Sequence, residues 1–177
     1  MPVILEQLQI DHRNMRQLLR VLEEELEANH HDFDLMRQIV DYALNYPDLI
    51  HHPREERLLH RLLERDPASK ALVGSLAADH EQLAQLTHRF AAALHNVAND
   101  VEVPRDLFRK LADDYLTHSR QHMEFEEERF FPRLLAMFDD DDWQEFDGLT
   151  KGYDPLFGNA VERHYRALHE RIVRVAF

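Results

Sequence analysis

The chain has 177 residues, 44% of them hydrophobic, and a formal net charge of -13, which suits one domain with one core. So acidic a surface argues against nucleic acid and anionic membranes as partners, because phosphate binding needs Lys and Arg. With no cysteine, disulfides, thiolate ligands and iron–sulfur clusters are excluded.

Apolar residues fall at helical spacing and there are only four Gly, so the expected fold is all-α. A first helix is expected over residues 3–29, with Leu5, Leu8, Met15, Leu18, Leu22 and Leu26 in one stripe and His12 on it. Asp32 or Asp34 can cap the next helix, expected over 34–65 with a kink near 46–48 at Pro47 and a new segment from Asp48. Asp66-Pro67 ends it. A third helix is expected over 68–97, led by Leu72, Leu76, His80, Leu83, Leu86 and Phe90. After a loop at 96–104, a fourth covers 105–138, with Tyr115, His118, His122 and Glu126 in one row. The acidic run Asp139–Asp142 reads as a solvated loop capping a short turn, since it lacks the alternating ligands and Gly of a calcium loop. A last amphipathic helix over 155–176 is expected to cover the bundle or mediate homodimerisation. No run approaches the ~20 apolar residues of a membrane span. The start MPVILEQLQIDH lacks the basic n-region of a signal peptide, so a cytoplasmic location is expected.

The chain also repeats itself. Residues 8–22 align with 76–90 at an offset of 68, pairing Asp11 with Asp79 and His12 with His80. HHPREERLL (51–59) aligns with HMEFEEERF (122–130) at an offset of 71, pairing His51 with His122 and Glu55 with Glu126. Each half thus carries one His on an early helix and one His-x-x-x-Glu on a later one. Positions i and i+4 share a helical face, about 6 Å apart along the axis. Two such hairpins, facing each other in an antiparallel four-helix bundle, bring together His12, His51, Glu55, His80, His122 and Glu126. A carboxylate can bridge two cations and an imidazole cannot, so Glu55 and Glu126 are the natural bridges. Nitrogen-plus-carboxylate ligation suits iron or manganese, whereas Ca²⁺ and Mg²⁺ want oxygen.

Two readings stay open here. His52 and Glu56 have the same spacing as His51 and Glu55, and the nearby prolines blur the helical phase. The repeat favours the earlier pair. His118, one turn before His122, can serve as a fifth nitrogen ligand or as a donor behind the ligands. His30, His31, His95, His164 and His169 read as surface or terminal-helix residues, His60 and His88 as half buried, and Tyr42, Tyr46 and Tyr115 as core.

His12, YPDLIHHPREE (46–56), His80 and HMEFEEERFFP (122–132) resemble the hemerythrin-like family, or HHE cation-binding domain, over residues 4–138. DPLFG (154–158) looks like the terminal segment of some bacterial members. The resemblance implies a domain over 1–138, extended by 139–177, around an oxo- or hydroxo-bridged di-iron centre with the six residues above as ligands. Oxygen-carrying hemerythrins place a second His four residues after the first on the third helix, where this chain has Ala84, and use a longer His-to-Asp spacing on the last. Simple oxygen transport is therefore not assumed. The expected role is a di-iron protein binding or reacting with dioxygen, peroxide or nitric oxide as sensor, scavenger or carrier. The alternative is a non-catalytic iron-binding regulatory module whose stability reports metal occupancy.

Overall fold

The computed structural model describes residues 1–146, 148, 154–158 and 160–175. The described residues form helices and no strand: α1 Val3–Glu27, α2 Phe33–Tyr46, α3 His52–Arg65, α4 Lys70–Ala98, α5 Arg105–Phe125, α6 Phe131–Met137, α7 Asp140–Phe146 and α8 Arg166–Val175. None of the described helices is long and apolar enough to cross a membrane.

The ends of the helices follow from local chemistry. Asp32 caps α2, its Oδ1 accepting from the Leu35 N–H at 3.0 Å. At the end of α4, the Val101 N–H bonds back to the Asn96 carbonyl and the Asp100 N–H to that of Val97. Asp100 takes a left-handed backbone (φ 57) to allow it.

Two apolar layers set the bundle's direction. In one, Leu22 and Leu26 from the end of α1 meet Leu35 and Met36 from the start of α2, Phe90 and Leu94 from the end of α4, and Leu111 and Tyr115 from α5. In the other, Ile4, Leu5 and Leu8 from the start of α1 meet Leu58 and Leu62 of α3, Leu76 of α4, and Phe130 and Leu134. Starts meet ends alternately, as an antiparallel four-helix bundle requires.

The second helix is interrupted at Pro47, where the sequence suggests, but not by a simple kink. Instead of a kink at 46–48 and a new segment from Asp48, a π-helical turn spans Pro47–His51 and α3 begins at His52. A second π turn, Glu126–Phe130, interrupts the expected 105–138 helix. Both have one cause. Pro53 and Pro132 each lie two residues beyond a π turn, and each lacks the N–H that the carbonyl four residues earlier needs. Just before each proline the chain widens to i→i−5 bonds, His52 N–H to Pro47 and Phe131 N–H to Glu126.

The C-terminal part also departs from expectation. In the run Asp139–Asp142 the first three residues are exposed, as expected, but the fourth is not. Asp139 and Asp142 cap each other's backbone N–H groups to start α7. Asp142 is fully buried, holding Arg61 and Arg65 of α3. The helix expected over 155–176 is shorter. Asp154 Oδ1 accepts from the N–H groups of Leu156 and Phe157, forming a turn, and α8 starts only at Arg166 after a 3₁₀ turn at Arg163–Tyr165. Residue 176 lies outside the described residues. Leu156, Tyr165, Leu168 and Ile172 are buried among residues of α1 and α2, so this segment covers one side of the bundle.

Candidate metal centre

Between the two apolar layers lies a polar one. Each helix changes character there: Leu8 gives way to Asp11 and His12 before Leu18, and Leu76 to Asp79 and His80 before the core residue Phe90. His51 and Glu55 lie between Tyr46 and Leu58, and His122 and Glu126 between Tyr115 and Phe130. All six residues expected from the sequence meet in this layer. Glu55 and Glu126 are 0% exposed, and His12, His51 and His122 are buried.

The six form two groups that share carboxylates, and a seventh joins them. His12, His51, Glu55 and Glu126 make one group; His52, Glu55, His80 and His122 make the other. In each, one donor atom per residue lies within 4.8 Å of all the others. Glu55 reaches both, with Oε1 3.3 Å from His51 Nε2 and Oε2 3.4 Å from His80 Nε2. Glu126 does the same, with Oε2 3.0 Å from His12 Nε2 and Oε1 3.3 Å from His122 and 3.4 Å from His80.

His51/Glu55 and His52/Glu56 do not divide in the structure as simple alternatives. Both histidines face the cluster, and Glu56 is exposed. In a regular α-helix, neighbours point about 100° apart. The wider π turn ahead of Pro53 narrows that angle, so His51 joins one group and His52 the other. The fifth imidazole is therefore His52. His118 lies behind the cluster, its Nε2 3.0 Å from Asp79. His60 and His88 are exposed rather than half buried.

A carboxylate fixes each of three imidazoles from behind. Asp11 holds His51 Nδ1 at 3.1 Å, Asp79 holds His122 Nδ1 at 2.7 Å, and Glu127 holds His12 Nδ1 at 2.9 Å. An anionic acceptor requires the proton on Nδ1, which leaves the Nε2 lone pair facing inward. The first two contacts are the same contact in each half: the Asp before the early His grips the imidazole of the later His-x-x-x-Glu. Arg16 pins Glu127 with two bonds of 2.8–2.9 Å. The repeat displays Asp11 and Asp79 in sequence, but only the fold reveals this task.

This layer needs cations. His12 Nε2, His122 Nε2, Glu126 Oε2 and both Glu55 oxygens are buried without a hydrogen bond, although they crowd together. Buried polar atoms are almost always paired, and lone pairs converging on one space are the donor set a metal satisfies. Without a metal, protons must serve. Burial works against charge on the imidazoles, but the facing carboxylates raise His51 well above its ordinary value and His80 to about 9. Burial likewise raises Glu55, yet the His51 and His80 imidazoles hold it well below the usual carboxylate range. The residues therefore fit a metal pair.

A cavity of about 60 Å³ adjoins the cluster, room for a few water-sized molecules. Met15, Leu83, Met123, Tyr42, Tyr46 and Tyr115 line it, with His51, His52 and His122 on the cluster side. Ala84, at the place of the carriers' additional His, is part of its wall.

The family model for the hemerythrin HHE cation binding domain matches residues 3–134. No curated protein matches the chain.

Proposed function

Because the chain belongs to the hemerythrin family of HHE cation-binding domains, we propose that it is a non-haem di-iron protein that binds or reacts with a small oxidant. One iron would be held by His12 and His51 and the other by His52, His80 and His122, with Glu55 and Glu126 within reach of both. The observation that carries this reading is the reach of each Glu carboxylate to both imidazole groups. Mixed imidazole and carboxylate donors favour iron, with manganese as the alternative ion, over Ca²⁺ or Mg²⁺.

When bound, a ferrous pair supplies two electrons and open coordination positions. The chain's residues do the rest. Asp11, Asp79 and Glu127 keep the imidazoles in the tautomer that coordinates. The largely apolar cavity has room for dioxygen, peroxide or nitric oxide. This cavity, set against the cluster, favours ligand chemistry over a purely structural iron module. Scavenger, sensor and carrier are the roles it suits, in a cytoplasmic setting where donors keep the pair reduced. The test is metal analysis of protein expressed with iron. Two irons per chain, with an absorption band in air that dithionite bleaches, are expected. Well under two, with no such band, would refute the reading.

A further inference from the structure

Three of the tyrosines form a ladder that ordinary packing does not require. Tyr46 and Tyr42 stack with ring centres 5.1 Å apart and planes 13° from parallel. Tyr42 meets Tyr165 edge-on at 5.9 Å, and Tyr165 lies 3.8 Å from the ring of His164. His164 is half exposed, at 54% of its side chain. The inner end reaches the metal cluster, because the Tyr46 hydroxyl donates to Asp11 Oδ1 at 3.3 Å and Asp11 Oδ2 holds His51 Nδ1.

Each phenol in the ladder donates to a carboxylate. Tyr46 uses Asp11, Tyr42 uses Asp154 Oδ2 at 3.1 Å, and Tyr165 uses Asp41 Oδ2 at 2.8 Å. A buried phenol needs only some acceptor, and a backbone carbonyl would suffice. Tyr115 provides the contrast. It is as buried as the others and stacks on Phe90, but no carboxylate among the described residues holds it. The carboxylates matter because oxidising a phenol releases its proton, and an acceptor already in hydrogen-bond contact takes that proton without motion.

We propose that Tyr46, Tyr42 and Tyr165 form a one-electron path between the surface at His164 and the His–Glu cluster. The path rests on the di-iron reading above. The oxidant, hydrogen peroxide for example, takes two electrons, and two protons from solvent, to give two waters. The ladder returns the electrons to the metal pair singly. At each station the ring gives up one electron and its hydroxyl proton passes to the partnered Asp. The next electron from outside restores the phenol and recovers the proton. An external one-electron donor supplies the balance at Tyr165. Asp154, His164 and Tyr165 all lie beyond the span shared with the family, so the C-terminal segment completes the path.

The absence of cysteine permits a clean test. A thiol-reactive ruthenium photosensitiser is attached through His164→Cys and oxidised by flash-quench in the full chain. Metal-free protein is expected to show transient phenoxyl absorption that Tyr165→Phe removes and Tyr115→Phe leaves. In ferrous-loaded protein that absorption is expected to decay as ferric absorption grows, and Tyr42→Phe or Tyr46→Phe to abolish that growth. Phe retains the ring stack, and metal content and melting are compared for every variant. Absence of phenoxyl absorption in folded metal-free protein overturns the path. So does ferric growth that is equally fast in Y42F and Y46F. A phenoxyl signal in a chain that takes up no iron would uphold the ladder and sink the metal reading instead.

Discussion

Asp79→Asn separates the two metal positions. Asp79 accepts the His122 Nδ1–H at 2.7 Å and its side chain is 27% exposed. Asn keeps the shape but offers a neutral acceptor, and its NH₂ competes for the same place. His122 then loses the anion that fixes its tautomer, and changes of this kind behind a metal ligand cost about 10- to 100-fold in affinity, or roughly 1.4–2.7 kcal/mol. The fold should hardly notice, because partly exposed ion pairs contribute only about 0–1 kcal/mol. His122 belongs to the group with His52, Glu55 and His80, not to that with His12 and His51. Anaerobic Fe(II) titration against a competing chelator should resolve two binding steps, with one weakened by that factor and the other unchanged. Two steps that weaken equally, or do not move, would refute the assignment of His122 to one position. The mirror variant, Asp11→Asn, is less clean. Asp11 is buried and also holds Arg54, Tyr46 and Gln7, and breaking a buried charged contact costs roughly 3–5 kcal/mol in stability.

Removing the metal should expose a pH dependence. His12, His51 and His80 of the metal-free site have raised folded values, so their contribution to stability is complete below the ordinary value of 6.5 and is lost as pH rises through about 9 for His80. Melting temperature in chelator should therefore fall between those limits, while the loaded protein holds steady; a flat metal-free profile would contradict this. Glu55→Ala should abolish two-iron loading by metal analysis, and Glu56→Ala, at an exposed position, should leave it intact.

The bundle and six of the seven clustered donors were legible because both rest on spacing. Hydrophobic period gives the helices, and offsets of 68 and 71 give the two hairpins. His52 was missed as a partner of His51 because a straight helix cannot turn adjacent residues to one face. Pro47 announced an interruption in the second helix, but whether it would be a kink or a widened turn depended on the packing around it, and the turn ahead of Pro132 was not expected. Asp142 looked solvated because its partners, Arg61 and Arg65, come from another helix. The roles of Asp11 and Asp79 depend on contacts to residues 40 and 43 positions away.

The halves repeat their ligands but not their surroundings, and this difference gives the centre a direction. At an offset of 71, the place of Tyr46 is taken by Thr117 and that of Tyr42 by Asp113, so the second half has no ladder. Asp11 sits buried against Tyr46 and Arg54, while Asp79 is partly open and faces His118. A redox-silent structural site would have no use for this inequality. A centre that takes up an oxidant and must be re-reduced needs its electron donor on one side. The Asp11 side, through Tyr46, Tyr42 and Tyr165, continues to the surface in touching rings whose hydroxyls each meet a carboxylate.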